Sequence, residues 1–588
     1  MTSPGAGLRT VGREHGRRDA PRLFPDPLGE SVTTLLEPGV GESPPPASPH
    51  RAVHRWPGRH AGGHRHGPPV LIALAVLVSI AVVLPLVFLV VQAFGEGWAT
   101  LQPLLFRSLT AQLIWNTVSL TVVVTFLCAC IGTLAAWFLE RTQVPGRRYL
   151  AVLVVVPLGI PDFVVSFGWH SLFPSLGGFW AAVLVMTLAV YPLVFLPVAA
   201  SLRNADPAQE EVARSLGLSR LRTFWKVTLG QARLAILGGA VLVALVVLAE
   251  FGAFEILGFR TLTTEIYTEF TVGFDQASAC AFSLILVLLG AAILLGENAA
   301  RGKGRAARIG SGAARQQRAL TLGRAKPVVV GGLTLLVILA LGVPVGSIIY
   351  LMVRGGVTTV PTGSLAGATA TTFAYSASAG LVATLAALPV ALLSIRFASQ
   401  RSRLLERSNM LILAVPGLVI ALSFTYITEH FLAGRYYQTP ELLILTYAVM
   451  FFPLAVVAVR AAVARSPVGL EEVGHSLGVN RLSVFWRVTL PLIGPGLMAA
   501  FCLVFLESAT ELTATLVLRP TSIETLATQF WAIGETNVSY DQAAPYAGMM
   551  ILIAAVPSYV LGRWFDRLPA RAATAQAPGP APRTMVTL

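Results

Sequence analysis

Glu210-Glu211-Val212-Ala213-Arg214-Ser215-Leu216-Gly217-Leu218-Ser219-Arg220-Leu221-Arg222-Thr223-Phe224-Trp225-Lys226-Val227-Thr228-Leu229 returns 261 residues later as Glu471-Glu472-Val473-Gly474-His475-Ser476-Leu477-Gly478-Val479-Asn480-Arg481-Leu482-Ser483-Val484-Phe485-Trp486-Arg487-Val488-Thr489-Leu490. Thirteen of the 20 positions are identical, while the surrounding segments have drifted far more. Internal duplication is the economical explanation. Loops normally vary more than the elements they join. A polar stretch better preserved between copies than its apolar flanks therefore points to a partner that both copies meet.

Each copy sits in a gap between long apolar segments. The chain has 588 residues, 55% apolar and only 12% charged, with a mean hydropathy of +0.70. That balance does not suit a soluble multidomain protein. A membrane span needs about 20 mostly apolar residues. Twelve segments qualify: Pro69 to Phe94, Ile114 to Leu139, Leu150 to Leu172, Phe179 to Ala200, Leu234 to Phe254, Ala277 to Leu295, Pro327 to Val353, Thr371 to Ile395, Met410 to Thr428, Leu442 to Ala462, Gly494 to Val517 and Ala543 to Leu561. The repeated stretches follow spans 4 and 10, so the expectation is an all-α polytopic membrane protein built as two homologous six-helix halves.

The formal charge of +14 does not indicate nucleic acid, because the basic residues segregate by side of the membrane. With the N-terminus in the cytoplasm, 38 of the 43 Lys and Arg lie inside, and only Arg107, Arg260, Arg354, Arg435 and Arg519 lie outside. Both termini are then cytoplasmic. The expected organisation is a disordered tail over 1–68, a first half over 69–296, a basic linker over 297–326, a second half over 327–562 and a disordered tail over 563–588. The N-terminal tail holds six of the nine His, but their spacing fits no defined metal site and no signal peptide precedes them. Cys128, Cys130, Cys280 and Cys502 all fall in apolar spans and imply neither a disulfide framework nor a zinc site.

Within the repeat, local rules predict a helix, a glycine turn and a second helix. Asp206 can cap the first helix, Pro207 suits its first position, and Gln209 completes a capping box. Ser466 and Pro467 open the second copy in the same manner. The glutamates lie where a helix dipole favours negative charge. Gly217 and Gly478 fall where a helix ends in a left-handed residue.

Glu-Glu-Val-Ala-x-x-x-Gly, nine residues and Val-Thr-Leu resembles the "EAA" loop of binding-protein-dependent ABC permeases. Pro491 completes the family pattern in the second copy, where the first has Gly230. The resemblance covers both halves, roughly Leu101 to Leu561, and implies the type I importer permease fold. It also implies that the hairpins are coupling helices docking two copies of a separate ATPase subunit, through Glu210, Glu211 and Gly217 on one side and Glu471, Glu472 and Gly478 on the other. An extracytoplasmic binding protein would deliver the substrate to a multi-pass protein of the bacterial inner or plasma membrane. The chain lacks the G-x-x-x-x-G-K-[ST] phosphate loop, since Gly296 to Gly304 has the wrong spacing. It is therefore expected to be no enzyme and to bind no cofactor, ATP being used by the partner.

Charges in or near spans are expensive and invite functional readings. The candidates are Asp162, Glu250, Glu255, Glu507 and Glu511. Glu250 and Glu511 are repeat equivalents, each about 25 Å along its span at about 1.5 Å per residue. They can be read as a carboxylate pair on the translocation path, facing a hard cation, or as helix-end or interface groups. Ala249-Glu-Phe-Gly-Ala-Phe-Glu-Ile-Leu-Gly258 with Thr263-Thr-Glu-Ile-Tyr267 is similar to ferric-iron permeases. So is Glu511-Leu-Thr-Ala-Thr-Leu-Val-Leu-Arg519-Pro520 with Thr525-Leu-Ala-Thr528. Related branches carrying thiamine, polyamines or phosphonates stay open. A major-facilitator-type secondary transporter also has two six-span halves, and Glu140 to Arg148 faintly resembles one of its loops, but it supplies no reason for duplicated hairpins after spans 4 and 10.

Overall fold

The computed structural model describes residues 67–95, 97–205, 207–301, 320–354, 362–536, 539–555 and 557. The N-terminal tail, most of the linker, the C-terminal tail and the expected cap Asp206 lie outside the described residues. Among the described residues the regular structure is helical, with one isolated bridge between Thr142 and Leu320.

Among the described residues, eight helices are long and apolar enough to cross a membrane singly, and the spans number eleven when each of three bent helix pairs is counted as one. The twelfth is helical over 540–555, its expected remainder lying largely outside the described residues. Spans 1 and 2 are Pro69–Gln92 and Ser108–Arg141, and spans 4, 5 and 6 are Gly178–Arg203, Phe224–Ala249 and Gln276–Glu297. Spans 7, 8 and 11 are Gly323–Arg354, Thr362–Arg396 and Arg481–Ala509. Large apolar side chains such as Trp115, Phe126 and Leu385 are exposed along these helices, as a lipid-facing surface requires.

Spans 3 and 9, read from sequence as continuous, are sharply broken. Arg147–Gly159 meets Asp162–Leu172 at 96°, and Gln400–Ala414 meets Gly417–Phe431 at 106°. The cause is the same in both halves. Proline disfavours helical backbone in the residue before it, and Ile160 before Pro161 and Val415 before Pro416 are extended. Span 10 is also bent, by 56°, between Pro440–Met450 and Phe452–Arg465. Spans 5 and 11 stop earlier than hydropathy suggests, at Ala249 and Ala509. Short helices Gly252–Ile256 and Leu262–Thr271 follow the first, and Thr513–Leu518 and Leu526–Trp531 follow the second.

Each half is organised around three mutually packed spans: 2, 4 and 5 in the first, and 8, 10 and 11 in the second. Backbones approach closely where residues are small. A Cβ on Gly239 of span 5 would lie 2.7 Å from Val194 Cα of span 4, and one on Gly132 of span 2 would lie 2.9 Å from Phe195 N. The first span of each half crosses over. Span 1 packs on spans 8 and 9, where Asn409 Nδ2 donates to Ser79 Oγ at 3.0 Å, and span 7 packs on spans 3 and 4. The two apolar cores reflect that exchange: one joins the first half to Leu333, Ala340 and Ile348, the other joins the second half to Ala75, Val82 and Leu89.

Candidate functional site

Both copies of the repeated stretch fold as the expected hairpin. The first helix is Pro207–Ser215 in one copy and Val468–Ser476 in the other. The second copy starts one residue later than expected, because Pro467 takes the cap position and Ser466 ends span 10. Gly217 and Gly478 adopt φ of +84° and +79°. Leu218 N bonds Ala213 O, and Val479 N bonds Gly474 O, both at 3.1 Å, closing the wide turn that follows a left-handed glycine. Next come Arg220–Thr223 and Arg481–Val484, and then one turn of π-helix, Phe224–Thr228 and Phe485–Thr489, leads into spans 5 and 11.

The two glutamates of each copy face opposite ways. Glu210 is buried: its Oε1 accepts from Thr228 Oγ1 at 3.0 Å and lies 3.6 Å from Arg141 Nη2, at the end of span 2. Glu471 Oε1 accepts from Thr489 Oγ1 at 3.2 Å and from Arg396 Nη2, at the end of span 8, at 2.8 Å. Glu211 and Glu472 are exposed. In the same hairpins the apolar side chains of Val212, Leu216 and Trp225, and of Val473, Leu477 and Trp486 in the second copy, are exposed as well. The glutamates were singled out in the sequence without this division. Arg141 and Arg396 were not singled out, although they sit at matching positions 255 residues apart.

A cavity of about 440 Å³ lies between the halves, lined by Asp162, Glu250, Glu507 and Glu511 with the breaks at Pro161 and Pro416. Glu255 does not line it. Glu250 and Glu511 stand where spans 5 and 11 end rather than within them. Glu250 Oε1 accepts from Ala253 N at 2.8 Å. Glu511 Oε1 accepts from Ala514 N at 2.9 Å and from Thr513 Oγ1 at 2.5 Å. Each thus satisfies an otherwise free amide at the start of a short helix, and each also lines the cavity. Asp162 and Glu507 have no acidic counterparts, since Gly417 and Val246 occupy the matching positions. Among the described residues, no three His, Cys, Asp or Glu side chains converge to hold a metal ion.

The threonines of the two similar stretches are caps as well. Thr261 with Thr264, and Thr525 with Thr528, form capping boxes for Leu262–Thr271 and Leu526–Trp531. Thr117 Oγ1 accepts from Leu262 N at 3.0 Å, and Thr372 Oγ1 from Leu526 N at 2.9 Å, tying these helices to spans 2 and 8.

Two six-span halves with exchanged first spans, matched hairpins and a cavity between them define a repeated transport permease. The sequence family of the binding-protein-dependent transport system inner membrane component matches residues 129–296 and again 383–573, and the chain belongs to that family. It is 36% identical over 505 residues to the Fe(3+)-transport system permease protein FbpB 2 of Haemophilus influenzae, covering 85% of this chain and 99% of that protein. It is 24% identical over 532 residues to the ferric transport system permease protein FbpB of Actinobacillus pleuropneumoniae, covering 82% and 76%. A probable molybdenum ABC transporter permease of Haloferax volcanii is 27% identical over 261 residues, which are 41% of this chain and 96% of that protein. Nearly all of that relative thus corresponds to about two-fifths of this chain.

Proposed function

We propose that the chain is the membrane-spanning subunit of an ATP-driven importer for ferric iron, delivered by an extracytoplasmic binding protein and powered by two copies of a separate ATPase. Its termini and hairpins face the cytoplasm, in keeping with the distribution of basic residues. The observation that carries the cargo is the 36% identity extending over 99% of the Haemophilus influenzae relative, against the 41% of this chain matched by the molybdenum permease. The cavity chemistry agrees with it. Ferric iron is a hard cation that favours oxygen ligands, and carboxylates from both halves line the cavity without closing into a cage. Transit requires attraction without retention.

The hairpins are the docks for the ATPase. Glu211 and Glu472 offer charge and the exposed leucines and tryptophans of the same hairpins offer apolar area, while Gly217 and Gly478 hold the turn. Glu210 and Glu471 fix the hairpin from behind. Closure of the ATPase pair drives the hairpins and switches the cavity from inward-open to outward-open.

For the cargo, ATP hydrolysis by the reconstituted transporter is measured with its binding protein loaded with ferric iron, thiamine, a polyamine or a phosphonate. Stimulation by the iron form alone is expected, and stimulation by an organic ligand alone dismisses iron. For the docks, Gly217→Pro with Gly478→Pro forces φ to about −65° where the turns need +84° and +79°. Loss of ATPase co-purification is expected; retained association and transport sink the docking assignment.

A further inference from the structure

We propose that Arg141 and Arg396 are positioning residues that tie each coupling hairpin to the membrane bundle, so that hairpin motion is delivered to spans 2 and 8 as well as to the spans it joins directly. The proposal rests on the reading of the hairpins as ATPase docks. Covalently, each hairpin connects only spans 4 and 5, or 10 and 11. The arginines add the missing third span of each packed triad.

The geometry is duplicated. Each arginine is the last helical residue of its span and meets the first glutamate of the neighbouring hairpin. The same carboxylate oxygen also accepts from the threonine that closes the π-helical turn, Thr228 or Thr489. One carboxylate therefore gathers three elements: the hairpin helix, the π turn entering span 5 or 11, and the end of span 2 or 8. Arg396 Nη2 further donates to Ser466 O at 3.1 Å, at the end of span 10.

Stability alone does not explain these pairs. The arginine side chains are only 6% and 11% exposed. Desolvating two charges offsets most of their attraction, and well-packed apolar residues often serve a fold as well or better. Among the described residues, Arg141 Nε and Nη2 and Arg396 Nε find no hydrogen-bond partner. What the charge pairs supply and a greasy contact does not is attraction between fixed points, reinforced by a directional hydrogen bond at Arg396–Glu471 and purely electrostatic over 3.6 Å at Arg141–Glu210. The first pair is also connected to the linker, because Leu320 N donates to Arg141 O at 2.9 Å and Gln143 N donates to Leu320 O at 3.0 Å. The chain entering span 7 is thus fastened at the same point.

The test uses the full chain with its ATPase and binding protein in proteoliposomes, reading uptake and ATP hydrolysis together. Arg141→Met with Arg396→Met should retain ATPase co-purification but lower transport per ATP on the order of tenfold, within the range of ordinary coupling energies. Arg141→Lys with Arg396→Lys keeps the charge without the planar fork and should recover most of the lost stoichiometry. Should the methionine variant fail to accumulate, replacing both partners of each pair, Arg141→Met with Glu210→Leu and Arg396→Met with Glu471→Leu, opens the same links without leaving a buried unpaired charge and should uncouple in the same way. Unchanged transport per ATP in a folded variant with both links opened overturns the proposal, as does lysine behaving no better than methionine. If the hairpin proline variant still binds its ATPase, it is the docking reading that fails; if that variant loses the ATPase while opened links leave coupling intact, only the role of the arginines fails.

Discussion

Glu250 and Glu511 carry two duties that a substitution can separate. Each accepts a backbone N–H from the first turn of a short helix, and each faces the cavity between the halves. A glutamine can still accept through its amide oxygen, whereas alanine cannot. Glu250→Ala should cost about 1 kcal/mol of stability, as cap losses do, and Glu250→Gln distinctly less, read as apparent melting shifts of the purified protein. Glu250→Gln with Glu511→Gln should slow ferric-iron uptake about tenfold, equivalent to about 1.4 kcal/mol of lost attraction; normal kinetics would reduce both to caps. Asp162→Asn with Glu507→Gln tests the remaining carboxylates, for which no capping bond competes with a cargo role. The repeat offset made Glu250 and Glu511 visible in the sequence. A helix-end role was open in the sequence, but the short helices they cap were not visible, because hydropathy carries both spans through the point where the backbone turns. Arg141 and Arg396 were hidden for a different reason: an arginine at the end of a span looks like ordinary membrane-edge charge until the hairpin folds back onto it.

Among the elements, the hairpins were the most legible, since proline, glutamate and glycine act over one or two turns and their rules are local. The π turns at Phe224–Thr228 and Phe485–Thr489 were not, although the residues that form them repeat nearly unchanged. A π turn adds one residue to the helical register, and only the contacts of Thr228 and Thr489 reveal what that register achieves. Breaks at Pro161 and Pro416 were signalled by the prolines, but an apolar window records composition rather than direction. Helix packing offers a sharp test at two adjacent glycines of span 5. A Cβ at Gly239 meets the backbone of span 4, while one at Gly238 meets nothing within 4 Å. Gly239→Leu should therefore destabilise by at least the 1–3 kcal/mol typical of overpacking, about that or more, with little folded protein recovered by size exclusion. Gly238→Leu should express and fold like the parent. Equal behaviour of the two would mean that spans 4 and 5 do not approach as described.

At the scale of the molecule, the two halves could be counted from hydropathy and aligned through the hairpins, but their interlocking could not be read. Hydropathy identifies a span without naming its neighbour, and span 1 shares no pattern with spans 8 and 9 that would betray the contact. The exchange has a physical consequence. Without the second half, span 1 loses the apolar partners of Ala75, Val82 and Leu89, and Ser79 loses its bond from Asn409. Without the first half, span 7 loses its seat at Gly168, where a Cβ would fall 2.8 Å from Pro344 Cα. Neither half then has a complete set of helix contacts, so the halves should find each other even when the chain between 302 and 319 is cut. Cutting the gene within that segment and expressing the halves together, with an affinity tag on one, should yield a co-purifying pair that still transports. Each half expressed alone should accumulate poorly or aggregate, because its orphaned first span exposes the packing surface meant for the other. If the halves instead purify as separate, monodisperse proteins that do not associate, the crossed first spans are not what holds the permease together.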